Sequence, residues 1–208
     1  MTFQELKDSF YHSILSELRL FAQTEANKNI YAIAFDCNSE VGQVSLRYGS
    51  NAHFKEISKN FHKVSKYYRP YGRYGLRGQQ YDVGEFVFIG SLEHNGYIFL
   101  NFDSDTSHFF DSYYYHNIGD YFGEGEPIEG FDSGEVLNRE TVTPLFQEMV
   151  IDCINRLKEN GGLLNTTEDF IIFMCDLQNS PEENEELLKK TVDPKLFDKL
   201  LAESNIKD

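Results

Sequence analysis

Asp103, Asp105 and His108 stand close together in "NFDSDTSHFF" (Asn101 to Phe110), directly after the apolar run "GYIFLNF". Two carboxylates at alternate positions offer hard oxygen ligands for a divalent cation, and a nearby imidazole can accept a proton. The chemistry such a set can do is metal-assisted hydrolysis. A calcium loop starting at Asp103 needs Gly at its sixth position and Glu at its twelfth, and the chain has His108 and Tyr114 there. Asp111, His116 and Asp120 extend the set with transition-metal ligand types, although dispersed His and Asp in a loop are ordinarily surface residues. There is no GxGxxG after a strand, no P-loop, no HExxH, no GxSxG and no CxxC. "GRYGLRG" is glycine-rich, but it follows a helical pattern and opens no helix, so it is no phosphate cradle. The expectation is a protein with no catalytic residue, no metal and no cofactor; the Asp103/Asp105/His108 hydrolase is the alternative, and a self-associating structural protein is a further one.

The stretch "DSYYYHNIGDYFGEGEPIEGFDSGE" offers a different function, that of a binding surface. Tyrosines supply large contact area at small entropic cost, and interleaved carboxylates steer a cationic partner. The residues assigned to binding are Asp103, Asp105, Tyr113, Tyr114, Tyr115, Asp120, Tyr121, Glu124 and Glu126. Charge is segregated around them. Residues 55–77 hold seven Lys or Arg and one acid, Glu56, whereas residues 78–138 hold twelve acids and no Lys or Arg. Either the basic segment folds against the acidic one, or one of the two meets a partner. The basic segment ends in "KYYRPYGRYGLRGQQY" (Lys66 to Tyr81), where arginines and tyrosines can stack on one another.

The elements that must hold these segments are legible in the periodicity. Thr2-Phe3-Gln4-Glu5 is a capping box, and Phe3, Leu6, Phe10, Ile14, Leu18 and Phe21 mark a helix of about five turns. "IYAIAFDC" reads as a buried strand and "VSLRY" as its hairpin partner. Asn51 caps a helix with Phe54, Ile57, Phe61 and Val64 on one face and Lys55, Lys59, Lys63 and Lys66 on the other, ending near Tyr68 before Pro70. "GEFVFIGSL" and "GYIFLNF" read as two strands. The span of about 103–140 has no clear period and reads as a long surface excursion, with a short strand around Phe109 to Tyr114. Thr143-Pro144 opens a helix striped by Leu145, Met149, Cys153 and Leu157. "DFIIFMCDL" is a strand, and Ser180-Pro181 and Asp193-Pro194 open two last helices. This order predicts one α+β domain over residues 1–208, a mainly antiparallel sheet flanked by N-terminal and C-terminal helices.

The totals narrow the class. At 40% apolar and 25% charged residues, the 208-residue chain is globular rather than disordered. Its net charge of −15 disfavours nucleic acid and favours a basic protein partner. Cys37, Cys153 and Cys175 are odd in number and each has apolar neighbours, which predicts reduced, buried thiols in the cytoplasm. No apolar run is long enough to span a membrane, and the first residues lack the pattern of a secretory signal. Composition leaves the oligomeric state open.

"IYAIAFDCNSEVGQVSLRYGSNAHFKEI" and "LFQEMVIDCINRLKENGGLLNTTEDFIIFMCDL", together with the opening helix, resemble the bacterial domain-of-unknown-function family DUF 4303. The likeness covers the two ends of the chain better than its middle. The chain departs from it in having no Trp after the basic helix and in its tyrosine-rich central stretch. "FVFIGSLEHNGYIFLNFDSD" is more weakly similar to the SMI1/KNR4-like immunity proteins. "NFDSDTS" also resembles the DxDx(T/V) motif of haloacid dehalogenase-like phosphatases, with Ser107 at its last position, but the parallel βα repeats of that fold are not visible. The DUF 4303 resemblance carries no activity or site residue with it; by association it implies an antidote encoded beside a toxin.

Overall fold

In a computed structural model, α1 (Phe3–Ala22) starts from the predicted capping box. Thr2 Oγ1 accepts from the Glu5 amide at 3.0 Å, and the Glu5 carboxylate accepts from the Thr2 amide at 2.7 Å. The described residues are 2–39, 43–64, 72–89, 128–129, 136–137, 139–159 and 162–205. Leu6, Phe10, Ile14, Leu18 and Phe21 of α1 are buried, as their spacing requires.

β1 (Ile30–Asn38) and β2 (Gln43–Ser50) form the expected antiparallel hairpin, with Ile33 opposite Tyr48 and Phe35 opposite Leu46. β3 (Val87–Phe88) pairs antiparallel with β2 on its outer side. β6 (Thr166–Asp176) pairs with β1 in parallel, with Ala32 opposite Ile171 and Asp36 opposite Cys175. The sheet order is β3-β2-β1-β6, so two of its three pairings are antiparallel. This is the α+β class with helices at both ends of the chain. The parallel β6 is what places β1 in the interior of the sheet, and its unbroken apolar run follows from cover on both faces.

One face carries Ile33, Phe35 and Cys37 of β1 with Leu46, Ile172 and Met174, packed against α1 and α4 (Arg139–Glu159). The other carries Tyr31, Ala32 and Ala34 with Ile171 and Phe173, packed against Phe54, Tyr81 and Phe86 and against Phe197 and Leu200 of α6 (Pro194–Glu203). α5 (Pro181–Thr191) contributes Leu187 to the first cluster and Leu188 to the second. It thus covers the outer edge of β6, which otherwise presents unpaired backbone groups. Both helices start where Ser180-Pro181 and Asp193-Pro194 predict; Ser180 forms a capping box with Glu183, and Asp193 caps α6.

Several expectations are corrected. Ser50, not Asn51, caps α2 (Asn51–Ile57): Ser50 Oγ accepts from the His53 amide at 3.3 Å. Two adjacent residues had capping chemistry, and the one still in extended backbone takes the role. The helix predicted beyond Phe54 is interrupted by a 3-10 turn at Ser58–Asn60 before α3 (Phe61–Val64). α4 starts at Arg139, so Pro144 lies inside it rather than at N1; the proline sits near enough to the start to forgo a single ladder bond. Among the described residues of "GEFVFIGSL" the strand is Val87–Phe88, and it starts late because Val83–Glu85 is a 3-10 turn capped by Asp82. Of the central excursion, β4 (Ile128–Glu129) and β5 (Val136–Leu137) form an antiparallel pair that the sequence reading did not foresee. Its signal was "IEGFDSGEVL", a turn-forming FDSG between apolar residues. The predicted strands "GYIFLNF" and Phe109 to Tyr114 lie outside the described residues.

Candidate functional site

The residues assigned to binding, Asp103, Asp105, Tyr113, Tyr114, Tyr115, Asp120, Tyr121, Glu124 and Glu126, all lie outside the described residues, as does His108. What the structure does place is their upstream counterpart, the basic tyrosine-rich stretch from Gly72 onward. It is bound down on the C-terminal helices. The Leu76 amide donates to the Leu200 carbonyl at 3.1 Å, and the Arg77 amide donates to Ser204 Oγ at 3.0 Å. Ser204 Oγ in turn donates to the Leu200 carbonyl at 3.1 Å. These bonds satisfy carbonyl and hydroxyl groups at the end of α6 that a helix terminus leaves open.

Gly75 makes that approach possible. Its φ is +78°, and a Cβ there would lie 2.4 Å from both the Leu200 carbonyl oxygen and the Ser204 amide. The stretch is also closed on itself: the Gln80 amide donates to the Arg73 carbonyl at 3.0 Å, and the Gly75 amide donates to Gln80 Oε1 at 3.3 Å.

The side chains follow the backbone inward. Arg77 Nε donates to Glu185 Oε2 of α5 at 3.2 Å, and this guanidinium holds the Glu185 carboxyl below its ordinary range. Both partners are partly exposed, so the pair contributes only about 0–1 kcal/mol. Arg73 lies over the Phe61 ring at 5.1 Å, and the Tyr74 ring meets Phe54 edge-on at 5.6 Å. Tyr81 is buried beside Tyr31, Phe86 and Phe54 in one aromatic cluster. The arginines and tyrosines described here hold the loop to the fold.

Tyr31 is the tie from the sheet. It is the extra residue of a β-bulge between Ile30 and Ala32, and it turns its ring over Gly49, where a Cβ would come within 2.5 Å of the ring. Its hydroxyl donates to the Gln80 carbonyl at 2.7 Å. Burial pushes the Tyr31 phenol well above its ordinary range, so it stays a donor at all physiological pH. We expect Tyr31→Phe to cost about 1 kcal/mol in urea unfolding by orphaning that carbonyl, with backbone protection of residues 72–81 falling in hydrogen exchange.

A second set of polar residues gathers where β1 and β6 end. The two strands finish in mirrored dipeptides, Asp36-Cys37 and Cys175-Asp176, paired Asp36 to Cys175 and Cys37 to Asp176. Paired residues share a face of the sheet, so Asp36 and Cys175 lie on one side, Cys37 and Asp176 on the other. The two thiols are free and on opposite faces, which precludes a disulfide between them.

On the first side, Asp36 Oδ2 meets Arg47 Nε at 2.7 Å, and the Arg47 guanidinium lies 3.9 Å over the Phe88 ring. Cys175 Sγ donates to Asp36 Oδ1 at 3.8 Å. Burial raises the Asp36 carboxyl above the usual range, against the pull of Arg47. On the second side, buried Asp176 accepts at Oδ1 from the Ser39 and Gln178 amides, both at 3.2 Å. Asn184 brackets its backbone, accepting from the Asp176 amide at 2.8 Å and donating to its carbonyl at 3.0 Å. Asp176 therefore ties the turn after β1 to the turn after β6. The sequence signal was available: a carboxylate closing each of two apolar runs.

Comparison with known protein families, characterised proteins and solved structures finds no match to this chain. Its chemistry must be read from its own residues. Burial pushes the Cys37, Cys153 and Cys175 thiols well up, so none supplies a thiolate nucleophile. Cys37 and Cys153 are buried as expected, whereas Cys175 is only partly buried. We expect a thiol-reactive probe to leave Cys37 and Cys153 unlabelled at neutral pH until denaturant is added; rapid labelling of either in the native chain would contradict their burial. Among the described residues no three His, Cys, Asp or Glu side chains converge as a metal site. Among the same residues no helix is long and apolar enough to cross a membrane.

Proposed function

We propose that the chain is a non-enzymatic binding protein of the bacterial cytoplasm, an immunity protein that occludes a basic toxin with its acidic, tyrosine-rich central segment. One observation carries the reading. Residues 78–138 contain twelve acids and no Lys or Arg, while Arg77, the last cation before them, is paired with Glu185 of α5. The end of the basic segment, at Leu76 and Arg77, is thus anchored on the C-terminal helices. Carboxylates left unneutralised by their own chain would raise the local concentration of a cationic partner and speed its encounter.

In this mechanism Asp103, Asp105, Asp120, Glu124 and Glu126 take the places of substrate phosphates in a basic cleft. Tyr113, Tyr114, Tyr115 and Tyr121 anchor the contact, since large aromatic side chains carry a disproportionate share of interface energy. The folded ends of the chain serve as the scaffold that presents the segment. A net charge of −15 argues against nucleic acid as the ligand, because binding to it rests mainly on neutralising phosphates.

The test is co-expression with the product of the adjacent reading frame. The expected result is a complex on a sizing column and survival of cells that the partner alone would kill. A partner that kills equally well with and without this chain, and elutes separately from it, would refute the proposal.

A further inference from the structure

We infer that a cleft at one end of α1 and α4 is a binding site for a small amphiphilic carboxylate, a chain or ring of about eight carbons bearing one anionic head. The inference is independent of the proposed partner, since the cleft belongs to the described ends of the chain. It lies between Leu15 and Leu18 of α1, Leu157 of α4 and Phe170 of β6, and the turn residues Leu163 and Leu164 close it. Its volume is about 190 Å³. For scale, an engineered cavity of about 150 Å³ lined by Leu, Ile and Phe stays dry and takes up benzene. A space of this size and lining is poorly suited to water, which needs two to four polar partners.

The mouth is open, and among the described residues that line the cleft Lys158 is the one cation. Gly162, at φ +102°, has no atom within 4 Å of where a Cβ would stand, and Thr166 beside it is exposed. Lys158, an exposed residue, lines the cleft. Its ammonium donates to the Thr191 carbonyl and, at 3.4 Å, to Asn155 Oδ1. An ammonium has three N–H groups, so among the described residues these two acceptors leave one for a ligand.

Burial also draws the Lys158 amine below its ordinary range, with the Asp193 carboxylate opposing. A carboxylate placed over the apolar floor would compensate that desolvation, whereas an alkylammonium would meet Lys158 as a like charge. The net charge of −15 does not forbid an anion here, because exposed charges are screened beyond about 8 Å at physiological salt.

The experiment is methyl NMR titration of the full chain with octanoate, octanol, octylamine and hexadecanoate. Octanoate is expected to shift the methyls of Leu15, Leu18, Leu157, Leu163 and Leu164 saturably. It should bind about tenfold tighter than octanol, as a charge-assisted hydrogen bond predicts, and octylamine should be weakest. Hexadecanoate, whose tail outruns the cleft, should gain nothing over octanoate; steadily tighter binding with length would point to a lipid surface and overturn the small-ligand assignment. Lys158→Met should make octanoate and octanol equal while leaving the octanol shifts in place. No saturable shift of these methyls, or equal binding of octanoate and octylamine to the wild type, would overturn the site, and neither result depends on a variant folding.

Discussion

Replacing Asp36 by Ala is expected to destabilise the chain by about 3 kcal/mol or more, because it strands the Arg47 guanidinium in a site from which water is largely excluded. The side chains of Asp36 and Arg47 are 9% and 19% exposed, and they meet at 2.7 Å. Arg47 is not free to swing out: it also lies against the Phe88 ring and donates to the Val83 carbonyl at 3.5 Å. Removing both charges is a milder change. Asp36→Leu with Arg47→Met should recover much of the loss, since a buried pair is often replaceable by apolar groups of similar volume. Equilibrium urea unfolding of the two single variants and the double variant closes the cycle. Equal losses in Asp36→Ala and in the double variant would show that the pair is not the source.

The same site has a pH signature. The folded Asp36 carboxyl lies above its unfolded value because burial outweighs Arg47. The folded chain therefore holds that proton more tightly than the unfolded chain does. The stability this gives is fully present below the unfolded value and is lost as pH rises through the raised folded value. Arg47→Met removes the largest opposing influence, so the loss should deepen and extend to higher pH. Unfolding free energies of the wild type and Arg47→Met across the range from about pH 4 to about pH 8 read this directly. A variant profile parallel to the wild type would contradict it.

Gly75→Ala is expected to cost about 3 kcal/mol. A left-handed backbone alone costs an L-residue roughly 1–2 kcal/mol. The added Cβ must also displace backbone atoms of α6, the Leu200 carbonyl and the Ser204 amide, each 2.4 Å away, and overpacking of that kind costs typically about 1–3 kcal/mol more. The loss should be local as well as global. Hydrogen exchange should quicken at the Leu76 and Arg77 amides, whose acceptors are Leu200 and Ser204, before it quickens in β1. An unchanged melting temperature with unchanged exchange at Leu76 would mean that the loop is not seated on α6.

These sites show where sequence reasoning reached and where it stopped. Local devices were legible: the Thr2–Glu5 box, the helix starts at Ser180-Pro181 and Asp193-Pro194, the stripe from Leu6 to Phe21, and the apolar run of β1 each depend on neighbours a few residues away. The β1–β2 hairpin was legible for the same reason. The parallel pairing of β6 was not, because nothing in an apolar run names a partner more than a hundred residues distant. Asp36 and Arg47 meet only once the hairpin register is set: Ser45 stands opposite Asp36, and Arg47 lies two residues further along β2, opposite Ala34 and on the same face of the sheet.

The glycine-rich loop around Gly75 was legible as a stretch that follows a helical pattern and opens no helix. Its seat was hidden, since Arg77 and Ser204 stand 127 residues apart. Pro144 misled because an N1 proline and a proline a few residues into a helix look alike in sequence. The central segment gave the reverse case: its charge segregation was plain in the sequence, and it remains the strongest pointer to function.

The central claim is that the carboxylates of residues 103–126 are the face that grips a cationic partner. Titration calorimetry against the cationic partner recovered from the co-expression test examines it most directly, with wild type and the Asp120→Ala/Glu124→Ala/Glu126→Ala variant, at low and at high salt. The account predicts binding that weakens with salt, a variant that binds at least about tenfold more weakly with a shallower salt dependence, and an unchanged melting temperature. A variant that binds as tightly as the wild type, with the same salt dependence, would contradict it.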